Sequence, residues 1–208
     1  MITYAITDRT LDAQGDLLVQ VSTLLRLGVS WVQIREKDLC DRALYDSLKA
    51  IAPEAGRFGV KVLLNARPDI ALLGGCDGVH LPSSGLATAA VRKHFERPFL
   101  VVRSCHCVEE VLKAADEGAD AVTLGPVFET PSKAPYGPPL GLEAFRLACS
   151  KSPIPVIGLG GIDICRVSSV MEAGAAGVAA IRMFAGLRPA PQGEAGLSDF
   201  LLNQGGTD

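Results

Sequence analysis

Polar and charged side chains in this chain of 208 residues gather at the ends of short apolar runs, and their types suit two kinds of chemistry. Gln33, Arg35 and Lys37 close "WVQIREK", Asn65 closes "VKVLLN", His80 stands in "DGVHL", and Arg103, Ser104 and His106 end "LVVRSCH". A long loop carries Glu129, Thr130, Ser132 and Lys133, and Arg182 follows the last apolar run. Guanidinium, ammonium, amide and hydroxyl groups of this kind hold anions through charge-assisted hydrogen bonds. Gly158, Gly160 and Gly161 of "GLGGID" precede a helix-like stretch, a setting in which backbone N–H groups seat a phosphate. The same glycines also suit a tight turn with no ligand, and Arg182 beside them favours the phosphate. Arg35, Lys37 and Lys133 hold a second anion or serve as solvated rim charges. Proton transfer would fall to His106, His80 and Glu129, with His106 first because imidazole titrates near neutral pH. His80 serves equally as a structural group at a strand end.

The elements that must position these groups alternate along the whole chain. "ITYAIT", "WVQIR", "VKVLLN", "DGVHL", "PFLVVRS", "DAVTLG", "IPVIGLG" and "AGVAAI" read as buried strands. Most are followed by an amphipathic run such as Leu17, Leu18, Val21, Leu24 and Leu25, and a helix is expected to open at Pro68. Strands this short and this numerous predict a closed α/β architecture, a (β/α)8 TIM barrel, over an open sheet whose first turn would carry G-x-G-x-x-G. The length suits a single domain spanning 1–208. In such a barrel the functional face lies at the C-terminal ends of the strands, where the polar residues above stand. The proline-rich loop 126–141 breaks the regular spacing and is expected to close over the anion site through Thr130 and Lys133. The stretch 188–196 reads as a connection to a last helix.

Composition narrows the function classes. Hydrophobic residues make up 48% against 21% charged, with 22 glycines, which predicts a packed core with many turns. A net charge of −3 offers no field for nucleic acid or a membrane surface, so an anionic ligand must be held locally. No apolar run is long enough to span a bilayer and no signal-peptide pattern opens the chain, so a cytoplasmic protein is expected. The six cysteines include no C-x-x-C pair. "CHC" at 105–107 leaves a metal clip open, while buried reduced thiols are the favoured reading. Cys105 becomes a nucleophile only if its pKa is lowered.

Taken together, "YAITD", "VQIREKD", "LLNARPDIAL", "DGVHL", "GADAVTLGPVFETPSK" and "IPVIGLGGI" resemble, in order and spacing, the thiamin phosphate synthase and thiazole tautomerase superfamily. The resemblance runs from residue 3 to about 182 and implies a (β/α)8 barrel of thiamin biosynthesis. Its synthase branch joins a hydroxymethylpyrimidine diphosphate to a thiazole phosphate with Mg2+ present. Its tautomerase branch moves a proton on a thiazole phosphate carboxylate. By this resemblance Gln33, Arg35, Lys37, Asn65, Thr130 and Lys133 match the synthase groups for the pyrimidine and its diphosphate, and Gly161 with its neighbours matches the thiazole phosphate loop. The synthase pattern places metal-binding aspartates after the asparagine and after "GVHL", where this chain has Ala66 and "PSSG" at 82–85. The tautomerase pattern carries a histidine where this chain has Pro126.

The missing carboxylates lead to the expectation of a metal-independent tautomerase-type or divergent enzyme, with no metal site and no cofactor. Two alternatives stand beside it: a thiamin phosphate synthase using Mg2+, and a non-catalytic regulator that binds thiazole or thiamin phosphate. Every one of these readings implies a small-molecule phosphate partner, and the sequence leaves room for a homo-oligomer.

Overall fold

The computed structural model describes residues 1–11, 15–130, 138–185 and 197–203. Eight parallel strands close into a barrel in sequence order. They are β1 (Ile2–Ile6), β2 (Trp31–Ile34), β3 (Lys61–Asn65), β4 (Gly78–Leu81), β5 (Leu100–Cys105), β6 (Ala121–Leu124), β7 (Val156–Leu159) and β8 (Gly177–Ala180). Closure comes from β1 pairing with β8, with Thr3 opposite Val178 and Ala5 opposite Ala180. The expected (β/α)8 fold is therefore the observed one.

Each strand is short, and its alternate residues face opposite ways. Tyr4, Ile6, Leu63, Val102, Ala121, Ile157 and Ala179 form one buried cluster inside the barrel. The intervening residues, including Ala5, Val32, Val62, Leu64, Val122 and Val178, join the larger core between sheet and helices. That parity carries forward to the strand ends. Gln33 follows Trp31, Asn65 follows Leu63, Ser104 follows Val102 and Thr123 follows Ala121, so all four share the inward face.

The helices are α1 (Leu17–Leu27), α2 (Asp41–Phe58), α3 (Pro68–Gly74), α4 (Thr88–His94), α5 (Val108–Asp116), α6 (Gly141–Lys151), α7 (Val167–Glu172), α8 (Arg182–Ala185) and α9 (Leu197–Asn203). Local chemistry sets their ends. Asp16 caps α1 by accepting from the Leu18 and Val19 N–H groups, and Gly28 closes it at φ 76°. α3 opens on Pro68 as the sequence predicts, since proline lacks only an N–H that the first turn leaves unused. The eighth helical unit is split: α8 is a single turn, and α9 packs on α7 with Leu201 fully buried and the Ser168 hydroxyl donating to the Leu202 carbonyl at 3.2 Å.

Candidate functional site

The floor of the barrel mouth is a line of buried polar groups. Gln33 Nε2 donates to the Tyr4 hydroxyl at 3.2 Å, and that hydroxyl lies 3.0 Å from His80 Nδ1. His80 Nε2 lies 2.7 Å from Ser104 Oγ, which also accepts from Thr123 Oγ1 at 3.5 Å. Gln33, His80 and Thr123 are at most 3% exposed and Tyr4 is fully enclosed, so these bonds replace hydration the groups have lost. Burial pushes His80 down to about 3, and the nearby charges of Arg35 and Arg103 add to that. The ring is thus neutral near pH 7 and is no imidazolium acid. Burial also raises the Tyr4 phenol above its usual range, against the opposing hydrogen bond from Gln33. Tyr4 was not among the residues expected from the sequence, because a tyrosine in "ITYAI" reads as plain core. Its inward parity with Ile2 and Ile6 was the available signal.

Around this floor stand Arg35 and Asn65, both half-buried, with the Arg35 N–H held by Thr7 Oγ1 at 3.0 Å. Lys37 is exposed on the rim. The acids nearby are already matched with arginines. Arg9 binds Glu36 at 3.1 Å and Asp38 at 2.5 Å, and Arg67 binds Asp69 at 2.9 Å as well as Asp41. The Arg9 contact holds the Asp38 carboxyl below its ordinary range, and Arg67 does the same for Asp69.

The residues present do not fit the Mg2+ site that the resemblance implies. Mg2+ wants oxygen ligands, commonly one or two carboxylates together with substrate phosphates. At the two expected places stand Ala66 and Gly85, and the described residues hold no group of three or more His, Cys, Asp or Glu side chains suited to a metal. Asp38 and Asp69, the substitutes within reach of the mouth, are occupied by arginine, and Asp8 accepts from Thr10 Oγ1 at 2.5 Å. Ala66 nevertheless keeps a left-handed φ of 66°, with its N–H donating to the His80 carbonyl at 2.8 Å. That backbone suits glycine, asparagine or aspartate better than alanine. Beyond β4, Arg103 grips the Leu86 and Ser83 carbonyls at 2.5 and 2.8 Å, so a protein cation organises the loop that contains Gly85.

The structure separates the other expected acid/base groups from this floor. His106 Nδ1 lies 2.5 Å from the Gly125 carbonyl, its Nε2 3.3 Å from Ser83 Oγ, and its backbone N–H donates to Glu110 at 2.6 Å. It ties together the loops that follow β4, β5 and β6. Glu129 is exposed, and Thr130 beside it is half-buried. Ser132 and Lys133 lie outside the described residues, and with them the expected closure of loop 126–141. Of the cysteines only Cys76 and Cys105 are buried, whereas Cys40 and Cys165 are exposed, so the expectation of buried thiols holds for part of the set. Burial pushes the Cys105 thiol up to about 12, the opposite of what a nucleophile needs.

After β7 the glycines are demanded by close approach. Gly160 and Gly161 adopt φ 95° and 67°, and a Cβ on them would stand 2.6 Å from Pro126 Cβ and 2.5 Å from the Glu129 carbonyl oxygen. The β6 loop lies along this turn, with the Phe128 N–H donating to the Gly160 carbonyl at 3.0 Å. A Cβ on Gly158 would meet Val170 at 2.7 Å. Arg166, absent from the expected set, donates to the Gly161 carbonyl at 2.6 Å and stacks 4.8 Å from the Phe128 ring centroid. Arg182 is exposed at the start of α8.

Comparison with known proteins gives a consistent picture. A family model described as thiamine monophosphate synthase matches residues 3–184. The chain is 43% identical over 178 residues to a provisionally named thiamine-phosphate synthase of Geobacter sulfurreducens, covering 86% of this chain and 84% of the relative. It is 37% identical over 194 residues to a thiamine-phosphate synthase of Roseiflexus castenholzii, covering 93% and 84%. Among solved structures it resembles the thiamine phosphate pyrophosphorylase of Pyrococcus furiosus at 26% identity and TM-score 0.80, with 98% and 93% of the two chains covered. These relatives overturn the expected tautomerase-type reaction, and the non-catalytic regulator with it. Both inferences took the absent carboxylates at 66 and 85 as a change of reaction, whereas the relatives bear synthase names.

Proposed function

Because the chain belongs to the thiamine monophosphate synthase family, we propose that it joins a pyrimidine diphosphate to a thiazole phosphate and releases diphosphate. The match along residues 3–184 carries this reading. We assign Gln33, Arg35, Lys37, Asn65 and Thr130 to the pyrimidine diphosphate, with Lys133 added on the family resemblance alone, and Gly158, Gly160, Gly161 and Arg182 to the thiazole phosphate. Ser104 joins the first set from the floor.

The chemistry suits a site with no poised acid or base. The attacking atom of a thiazole is its ring nitrogen, whose lone pair carries no proton, so forming the C–N bond needs no general base. Breaking the C–O bond leaves negative charge on diphosphate, which is where stabilisation is required. Arg35 supplies positive charge there, with exposed Lys37 on the rim, and the half-buried setting of Arg35 strengthens its contribution over that of a solvated side chain. A neutral His80 beneath the mouth adds no charge of its own to that stabilisation.

Diphosphate release from hydroxymethylpyrimidine diphosphate plus thiazole phosphate, followed with Mg2+ and with a chelator, tests the proposal. Release that requires both substrates, and a fall of about 10²-fold in kcat/KM for Arg35→Ala, is the expected result. Absence of release in both arms would overturn it.

A further inference from the structure

The order of donors along the buried line from Gln33 to Ser104 follows from hydrogen-bond valence. The Gln33 amide N–H donates to the Tyr4 oxygen. Among the described residues the phenol's own proton then has one acceptor within reach, His80 Nδ1 at 3.0 Å, and without it would be buried unpaired on a fully enclosed side chain. A ring that accepts at Nδ1 and is neutral carries its proton on Nε2. That proton is donated to Ser104 Oγ at 2.7 Å. The same oxygen also accepts from Thr123 Oγ1. Its lone pairs therefore face the wall, and no acceptor for the Ser104 proton appears among the described residues. Ser104 is half-exposed at the mouth, so its O–H is left for whatever occupies the site.

We infer that Tyr4 and His80 are positioning residues that make Ser104 an obligate hydrogen-bond donor to the ligand, selecting an unprotonated acceptor atom and rejecting a group that must itself donate. The identity of the acceptor, a diphosphate oxygen, rests on the function proposed above, whereas the direction of the bonds does not. His106 shows the contrast within one chain: its Nδ1 faces a carbonyl, which can only accept, so its proton sits on Nδ1. The neighbours of the two rings thus differ at Nδ1, a hydroxyl donor for His80 and a carbonyl acceptor for His106.

Long-range 1H–15N correlation spectra of the ligand-free, labelled protein test the direction. His80 is expected to be neutral with its proton on Nε2 between about pH 6 and 8, and His106 to bear a proton on Nδ1. A His80 proton on Nδ1 would overturn the inference whatever the reaction proves to be. The coupling is tested by a cycle of Tyr4→Phe, Ser104→Ala and the double variant. Each single change is expected to lower kcat/KM for the pyrimidine diphosphate about tenfold, with the double variant no worse than Ser104→Ala alone, because Tyr4 acts only through Ser104. Independent, multiplying losses would sink it. If the two substrates are not turned over, the synthase reading fails separately, and the same cycle is read from the affinity for inorganic diphosphate by calorimetry.

Discussion

Ala66 is the residue at which the departure from the family pattern is written into the backbone. It holds φ 66°, a conformation that costs an L-residue roughly 1–2 kcal/mol and costs glycine little. Its N–H bond to the His80 carbonyl keeps it there, so the β3 end holds this path with an alanine where the family resemblance implies an aspartate. Ala66→Gly is accordingly expected to raise the urea midpoint, by a stability gain of about 1 kcal/mol after allowing for the freer unfolded chain. An unchanged or lower midpoint would show that the turn is not strained. The departure at 66 and 85 was legible in the sequence. That the substitute acids Asp38 and Asp69 are taken by Arg9 and Arg67 was not, because partners 29 and 2 positions away in the chain look alike until the loops are placed.

At the scale of elements, the two ends of the barrel have different tasks. Asp120, just before β6, accepts from the Val101 N–H at 2.7 Å, from Arg92 and from Arg97 at 3.0 Å. Arg92 in turn donates to the Phe95, Phe99 and Gly118 carbonyls at 2.9–3.0 Å. This cluster joins α4, β5 and β6 at the N-terminal ends of the strands, away from the mouth. Asp120→Ala leaves a largely buried guanidinium and a strand N–H without their acceptor, and is expected to cost about 3 kcal/mol. Urea denaturation measures the loss, while kcat/KM at temperatures where the variant is folded should match the parent. A fall in kcat/KM of the folded variant would mean that the two ends are coupled. The strands and helices themselves were readable from alternation and from caps such as Asp16. A last helix after 188–196 was readable too and is α9, whereas the single turn α8 ahead of it and the burial of Leu201 against α7 were not.

At the scale of the whole molecule, closing the barrel puts an ionisable ring where water cannot reach it. His80 in the folded chain is pushed from its ordinary 6.5 to about 3. Below pH 6.5 the unfolded chain takes up a proton that the native state refuses, so the stability from neutral His80 is complete above 6.5 and is lost as pH falls toward 3. The slope across that window is about 1.4 kcal/mol per pH unit. Asp38 and Asp69, whose carboxyls are lowered from 3.8, contribute stability present above that value and lost only at more acid pH. Between about pH 4.5 and 6.5 the histidine therefore dominates. Urea midpoints over this range should fall more steeply for the parent than for His80→Gln, and parallel curves would contradict the assignment.

The sequence by itself determined the eight strand units and the gathering of Gln33, Arg35, Asn65, His80 and Ser104 at one end, because short apolar runs and the strand-end rule are local signals. It also displayed the loss of two carboxylates, though not what that loss means for the reaction. Only the tertiary structure decided which polar groups meet. Tyr4 and His80 are 76 residues apart and touch because the closed barrel turns both inward. His106 and His80 look equivalent as strand-end histidines. Burial and opposite neighbours make one a neutral link in the floor and the other a tie between loops, and such environments exist only once the chain is folded.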